Sequence, residues 1–441
     1  PEYFRNELIQ NLQFQNPKWL ENQRMGRWNG QVPKTLRFYE KLDSDTLCIP
    51  RGYTRQLLLL CRRKEIKYNI DDQRRLLSAQ KIPFHGKLKP FQQKAVDIML
   101  SKDFGTLCAP TGSGKTVMAL HLIAKRGQPA LIIVHTKDLA HQWIERAEHF
   151  LKIPADDIGL IGAGKKRQGK FLTLALIQSL YKCAHEVSPH VGYLIVDECH
   201  RAPSRTFTEA VSEFDSKYML GLTATPFRRD KLSMLIFWHL GDMHHEVEKS
   251  KLVAQGDILQ AEVIFRETDF VPYFDPVNEY SKMLAELTAD DQRNFMICED
   301  VVKEMRQQEE EGVCLVLSDR KKHCETIQGI LKYKFNVDAE VLTGDLTAAK
   351  RKEVLELLQK GRVKILIATG QLIGEGFDHQ DLSTLFLATP IRFSGRVVQY
   401  LGRILRPSQS KSKARVYDYV DVKVDTLKAA AQARQRVYAM S

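Results

Sequence analysis

The chain has 441 residues, 43% of them apolar and 27% charged, which is too long for one ordinary domain and normal in composition for globular ones. No run of 18 apolar residues occurs and the start, PEYFRNELIQ, is polar, so neither a membrane span nor a secretory leader is expected. The net charge of +12 suits a polyanionic partner, because cations that neutralise phosphates release counterions, and suits a solubilising surface equally well.

Eight cysteines are scattered without a C-x-x-C pair, so a zinc site or a disulfide framework is not expected, and a reducing, cytoplasmic setting is. The chain opens on Pro1 rather than on Met, as expected of a trimmed product or a piece of a larger protein.

Residues 1–86 form the first block. They hold 16 Lys and Arg against 9 Asp and Glu, so more than half of the net charge sits in a fifth of the chain. Lys18, Arg24, Arg27, Lys34 and Arg37 are interleaved with Trp19, Trp28, Phe38 and Tyr39. Cations for phosphates beside flat rings for bases form a nucleic-acid-binding composition, although aromatics in a small domain also build its core. Arg62-Arg63-Lys64 reads equally well as a solvated face. Glu65-Ile66-Lys67 has the E-x-K form of some nucleases, with Asp43 and Asp45 upstream, but 86 residues are few for a nuclease core.

From residue 87 to 227 short apolar runs alternate with helical stretches. ALIIVHT (130–136), FLTLALI (171–177), YLIVDE (193–198) and YMLGLTAT (218–225) read as buried strands. Alternation of this kind predicts a parallel sheet covered by helices. Residues 228–259 read as a connector. Residues 260–441 repeat the style, with strands at VCLVLS (313–318), AEVLTG (339–344), KILIAT (364–369), TLFLAT (384–389) and ARVYDYV (414–420).

The chemistry sits at the ends of those strands. APTGSGKT, 109–116, is a phosphate-binding loop with Ala109 at the usual first glycine. Placed between a strand and a helix, it turns the backbone N–H groups from Gly112 to Lys115 toward phosphates. Lys115 reaches the β- and γ-phosphates and the Thr116 hydroxyl ligates Mg²⁺. Asp197 and Glu198 close YLIVDE, where α/β sheets bind ligands. Asp197 suits Mg²⁺ and Glu198 suits the attacking water. Thr223 and Thr225 follow the next strand and are placed to sense the γ-phosphate. In QYLGRILRP, 399–407, Arg403 and Arg406 lie three residues apart on one helix face, with Gln399 one turn earlier. They are candidate arginine fingers. The Gly-rich turn 368–378 carries Gly376 and Asp378.

The order LKPFQ, APTGSGKT, DECH, TAT, ATGQLIGEGFD, QYLGRILR resembles the superfamily 2 DExH helicases over residues 87–425. The resemblance implies an α/β architecture of two RecA-like parallel-sheet domains, 87–227 and 260–441, behind a small α+β domain at 1–86. It implies an ATP hydrolase that moves along nucleic acid. Gln92 would read adenine, and Thr111, Gly112, Ser113, Gly114, Lys115, Thr116, Gly376 and Asp378 would hold ATP. Thr116 and Asp197 would bind Mg²⁺. Catalysis would use Lys115, Asp197, Glu198, Gln399, Arg403 and Arg406, with His200, Thr223 and Thr225 coupling the two sites. Thr136, Gln178, Ser179, Thr343 and Thr369 would grip nucleic acid, helped by Arg24 and Arg27.

Within the superfamily the chain looks most like the XPB/UvsW-type DNA motors. ATPFRRD (224–230) is similar to the segment after T-A-T in that group, although Arg229 stands where the group has an acid. The block NPKWLENQRMGRWNGQVPKTLRFYEK resembles the small DNA-recognition domain that precedes those motors. The expected partner is therefore DNA, duplex or branched, with 3′→5′ polarity and a place in repair or recombination. An RNA helicase, or the motor subunit of a restriction or defence complex working with an accessory protein, stands beside it. A cytoplasmic location, at the nucleoid in a bacterial cell, goes with the first reading.

Overall fold

A computed structural model gives the architecture. It describes all residues except 44, 202–204, 225–232, 308–311, 371–378, 380, 392–396, 398–399, 403, 406–413 and 440–441. Gln399, Arg403, Arg406, Thr225, Gly376 and Asp378 lie outside the described residues, as does the segment Arg228 to Asp230. The chain divides into two compact units. One is Pro1–Ala109 with Gly114–Val247, and the other is Glu248–Ser441 with the loop residues Pro110–Ser113. No described helix is long and apolar enough to cross a membrane.

The first 65 residues form the small α+β domain. Its helices are α1 (Glu2–Asn11), α2 (Pro17–Arg24) and α3 (Thr54–Arg63). Strand β1 (Gln13–Gln15) pairs antiparallel with β2 (Thr35–Arg37), and β3 (Glu40–Lys41) with β4 (Leu47–Cys48). Two-residue and three-residue strands bury little surface of their own. The stability comes from a cluster of Leu8, Leu12, Tyr53 and Leu60 that also takes in Leu235 and Trp238, far along the chain.

Those two residues lie on helix Ser233–Leu240, whose sequence SMLIFWHL is apolar nearly all round. A helix of that kind has to be covered on every side. Ile236 and Leu240 point into the core of the first large sheet. Leu235 and Trp238 point into the small domain, where Trp238 meets the rings of Phe38 at 5.5 Å, Tyr53 at 5.9 Å and Phe14 at 6.1 Å. Through this helix, residues 1–63 share packing with the first large sheet. The stretch 66–89 has no regular element beyond an isolated bridge at Arg75, yet it is laced to the same unit. Arg75 pairs with Asp215 at 2.8 Å, and the N–H groups of Gln80 and His85 donate to Gly127 O and Phe150 O, each at 2.7 Å.

The first large sheet has eight strands. They are β5 (Phe104–Cys108), β6 (Ala130–Val134), β7 (Gly159–Gly162), β8 (Lys165–Arg167), β9 (Leu172–Leu176), β10 (Tyr193–Val196), β11 (Tyr218–Thr223) and β12 (Met243–Glu246). Their order is β12-β5-β11-β10-β6-β9-β7-β8, parallel except for the edge strand β8. Helices α4 (Pro90–Leu100), α5 (Lys115–Arg126) and α6 (Lys137–Leu151) pack against it. Strands β6, β9 and β10 are buried along their whole length, which is why they read as unbroken apolar runs. Strand β12 falls within the stretch read as a connector. It joins the sheet at the far side of β5, and the polar run MHHE hides it from a hydrophobicity pattern.

The second unit holds β13 (Ala261–Thr268), β14 (Val313–Ser318), β15 (Glu340–Leu342), β16 (Ile365–Thr369), β17 (Leu382–Leu387) and β18 (Ala414–Asp421). All are parallel, in the order β13-β18-β17-β14-β16-β15. Inside it a buried ion pair joins Arg293 to Asp421 at 2.9 Å, and the Thr268 hydroxyl donates to the same carboxylate. The fold is therefore α/β, two RecA-like parallel sheets with a small α+β domain in front.

Candidate functional site

Strand order collects the expected nucleotide residues. Strands β5, β11 and β10 are neighbours, so the ends of three chain segments far apart in sequence meet at one edge of the sheet. The phosphate loop leaves β5, Thr223 ends β11, and Asp197 comes directly after β10.

The loop turns through two left-handed glycines, Gly112 at φ +87° and Gly114 at φ +84°. Ala109 takes no left-handed conformation, so a side chain costs nothing at that position. Its N–H donates to Thr223 O at 2.9 Å and its carbonyl accepts from Lys115 Nζ at 3.0 Å. Inside the turn the Ser113 hydroxyl donates to Pro110 O at 2.7 Å. Helix α5 starts at Lys115, so Thr116 lies in its first turn. Gln92, 7% exposed, lies against Gly114, where any Cβ would collide with its amide. Its Oε1 accepts from the Lys89 N–H at 2.9 Å, which holds it in the capping box of α4.

Asp197 is 5% exposed. One carboxylate oxygen accepts from the Trp143 indole N–H at 2.8 Å and the other from the Glu198 N–H at 2.9 Å. Burial, and then the neighbouring Glu198 charge, push its carboxyl above the ordinary carboxylate range, against the pull of the Trp143 N–H and the Lys115 ammonium. Trp143 comes from the buried face of α6. Nothing near it in the sequence marks it as more than a core residue, since its partner lies 54 positions on.

Glu198 adopts φ +49°, left-handed backbone that a non-glycine residue holds at a cost of about 1–3 kcal/mol. His200 Nδ1 lies 3.2 Å from Glu198 Oε2 and 3.1 Å from Thr223 Oγ1. The structure thus brings Glu198, His200 and the buried Thr223 into one chain of contacts, which joins the Glu198 carboxylate to the end of β11. Thr225, the remaining member of the coupling set, lies outside the described residues.

The donor set fits a hard divalent cation. Asp197 offers carboxylate oxygen and Thr116 hydroxyl oxygen, the ligand types that Mg²⁺ prefers, and bound phosphates would complete its shell. Among the described residues no cluster of three His, Cys, Asp or Glu could hold a metal alone. That includes the E-x-K segment, where Asp43 is engaged as a turn cap by the N–H groups of Asp45 and Thr46.

The residues expected on nucleic acid fall elsewhere along the same sheet edges. Thr136 comes after β6, and Gln178 and Ser179 after β9, on the side of β10 away from the phosphate loop. Thr136 caps α6, accepting from the Leu139 N–H at 3.3 Å, while Gln178 is exposed. In the second sheet Thr343 comes after β15 and Thr369 ends the adjacent β16. Thr343 is 8% exposed and donates to Asp345 at 2.6 Å. Arg24 and Arg27 are exposed on the small domain.

Two family models match this chain. "Type III restriction enzyme, res subunit" covers residues 85–228, and "Helicase conserved C-terminal domain" covers 296–408. A putative DNA 3′-5′ helicase Rad25 of Halobacterium salinarum is 29% identical over 393 residues, 84% of this chain. Together the family models and these relatives support an XPB-like superfamily 2 helicase. The chain spans 62% of the length of that archaeal relative. A putative ATP-dependent RNA helicase of Acanthamoeba polyphaga mimivirus is 25% identical over 81% of this chain and 69% of its own length. In fold the chain is similar to a fragment of a putative HsdR subunit of a type I restriction enzyme from Vibrio vulnificus. The TM-score is 0.58 at 18% identity, over 80% of this chain and 66% of that one.

Proposed function

We propose that this chain is an ATP-dependent DNA motor, a helicase or translocase that unwinds or remodels duplex or branched DNA with 3′→5′ polarity. The observation that carries the reading is the meeting of the phosphate loop, Asp197, Glu198, His200 and Thr223 at adjacent strands of one sheet. Residues of the phosphate-gripping type lie further along the same edge. ATP is the nucleotide, with Gln92 beside the loop, and Mg²⁺ is the ion held by Asp197 and Thr116. When bound, the ion neutralises charge on the transferring phosphoryl group.

Each residue of this chain then has a task. Lys115 binds the β- and γ-phosphates. Glu198 orients the attacking water and takes its proton at the carboxylate. Trp143 holds Asp197 in place, and His200 relays the state of Glu198 to Thr223. Arg403 and Arg406 stabilise charge in the transition state, and Gln399, Gly376 and Asp378 contact the nucleotide. Thr136, Gln178, Ser179, Thr343 and Thr369 hold the sugar–phosphate backbone, which fixes register without reading sequence. We place the protein with DNA in the cytoplasm, at the nucleoid if the cell is bacterial, in repair or recombination.

ATP hydrolysis measured with single-stranded DNA, duplex DNA, forked DNA and single-stranded RNA at one salt concentration tests this, with Lys115→Ala as the blank. Strongest stimulation by fork or duplex is the expected result. Stimulation by RNA alone would favour the second reading, an RNA helicase, as the viral relative is named. Failure of all four to stimulate would sink the motor reading. Stimulation that needs an added protein would point to a subunit of a restriction or defence complex.

A further inference from the structure

The rings of the small domain fall into two groups. Phe14 and Phe38 stack at 5.6 Å, and both pack on Trp238. Tyr39 is packed against the same cluster. Trp19 is half-buried, with the Lys34 ammonium 5.4 Å from its ring. Phe14, Phe38 and Tyr39 are thus taken up by the core, and Trp19 by Lys34. Trp28 is different, with 85% of its surface exposed.

An exposed tryptophan is costly to keep in water, and this one is held rather than left loose. Its segment, residues 16–34, is closed at the base by Asn16. The Asn16 N–H donates to Lys34 O and its side-chain amide to Pro33 O, both at 2.9 Å. Further out, Asn22 donates to the Asn29 side chain at 3.0 Å and Asn29 donates to Trp19 O at 3.1 Å. The Arg27 and Val32 N–H groups bond back to Asn22 O and Asn29 O at 2.8 and 2.7 Å. The Trp28 ring then lies over Gly30, where a Cβ would overlap it. One face of the indole rests on its own loop and the rest is open to solvent. Around it the segment carries Lys18, Arg24, Arg27 and Lys34, all exposed, against the single acid Glu21.

We propose that Trp28 is a stacking platform for one unpaired nucleobase, with the four surrounding cations holding the flanking phosphates. The assignment rests on the DNA-motor reading and adds a ligand to it: a base exposed at a junction or in a single strand. A flat ring fixed on a hydrogen-bonded loop loses little entropy when a base stacks on it, and stacking tolerates any base because each has a π face. A base inside a continuous duplex offers no such face, so Trp28 distinguishes unpaired from paired DNA where the cations cannot.

The test uses the whole chain and three probes at one salt: a blunt duplex, the same duplex with single-stranded fork arms, and that fork with abasic sugars along the arms. Dissociation constants are compared for the wild type, Trp28→Ala, Trp28→Phe and Gly30→Val. Trp28→Ala should weaken the fork by about 5- to 150-fold, the range that stacking of about 1–3 kcal/mol converts to, and leave the blunt duplex and the salt slope as they were. On the abasic fork the wild type and Trp28→Ala should bind alike. Trp28→Phe should recover most of the fork affinity, and Gly30→Val, which displaces the ring without removing it, should lose it. Indole fluorescence gives a second readout: Trp143 and Trp238 are buried at 1% and 5% exposure and Trp19 is half-buried, so the part of the fork's quenching that is lost in Trp28→Phe reports on Trp28. Equal losses on duplex and fork, or none on the fork, would overturn the assignment while leaving the motor reading intact. A wild type that binds none of the three probes would instead overturn the motor reading, and Trp28 with it.

Discussion

Trp143 offers the sharpest test of the nucleotide site. Replacing it by Phe keeps a six-membered ring in the buried slot and deletes the indole N–H that donates to Asp197 at 2.8 Å, together with the ring atoms around it. A hydrogen bond to a charged acceptor is worth about 1.5–3 kcal/mol. Asp197 already sits in an environment that disfavours its anion, through burial first and the Glu198 charge second. The carboxylate form, which the cation needs, is therefore lost on acidification at a higher pH than for an ordinary aspartate. Removing a donor to the anion raises that pH further, by about one to two units at 1.36 kcal/mol per unit. Trp143→Phe should therefore shift the acid limb of kcat/KM upward by that amount and lower kcat/KM near neutrality by at most about 10- to 150-fold. The Mg²⁺ concentration for half-maximal turnover should rise, and unfolding should become easier as well, because a smaller ring leaves space at a site 1% exposed. The assay is ATP hydrolysis across pH and Mg²⁺, with a denaturant melt as control. An acid limb and a Mg²⁺ dependence that coincide with wild type would refute the reasoning, for the bond would then hold nothing that the chemistry uses.

Glu198→Gln should keep ATP binding and stop hydrolysis, trapping the protein on nucleic acid; filter binding and single-turnover hydrolysis check it, and near-normal turnover would remove Glu198 from its role. Arg403→Ala or Arg406→Ala should cut turnover by about 10³- to 10⁵-fold; a change of only a few-fold for Arg406 would mean that it is no finger. Trp238→Ala should cost about 3–5 kcal/mol in urea or guanidinium unfolding, because the side chain is 5% exposed and meets three rings of the small domain. A loss below about 1 kcal/mol would mean that the small domain and the motor do not depend on a common core.

Much of this protein can be read without coordinates, for a physical reason. The strands of a parallel sheet covered on both faces are continuous apolar runs, and β6, β9, β10 and β14 announce themselves in that way. A phosphate loop is a local object, four backbone N–H groups and a lysine between a strand and a helix, so eight consecutive residues specify it. The acid pair after β10 is local too. Where residues interact within a few positions, the order of residue types carries the structure.

What the chain order does not contain is which distant segments meet. That β5 lies beside β11 and β11 beside β10 is a property of sheet topology, and it alone sets His200 3.1 Å from Thr223. Trp143 reads as one more core residue on an amphipathic helix until the fold carries it to Asp197. Strand β12 stays hidden because MHHE is polar, and sheet pairing chooses it by backbone hydrogen bonds rather than by apolar side chains. The basic, aromatic-rich start gives its composition freely, yet that composition cannot sort rings into core and surface. Burial did that: it took Phe14, Phe38 and Tyr53 into a core shared with Trp238, and left Trp28 in water. Composition states what a segment can touch, and the tertiary structure, by spending some of those groups on its own interior, decides which remain to touch anything else.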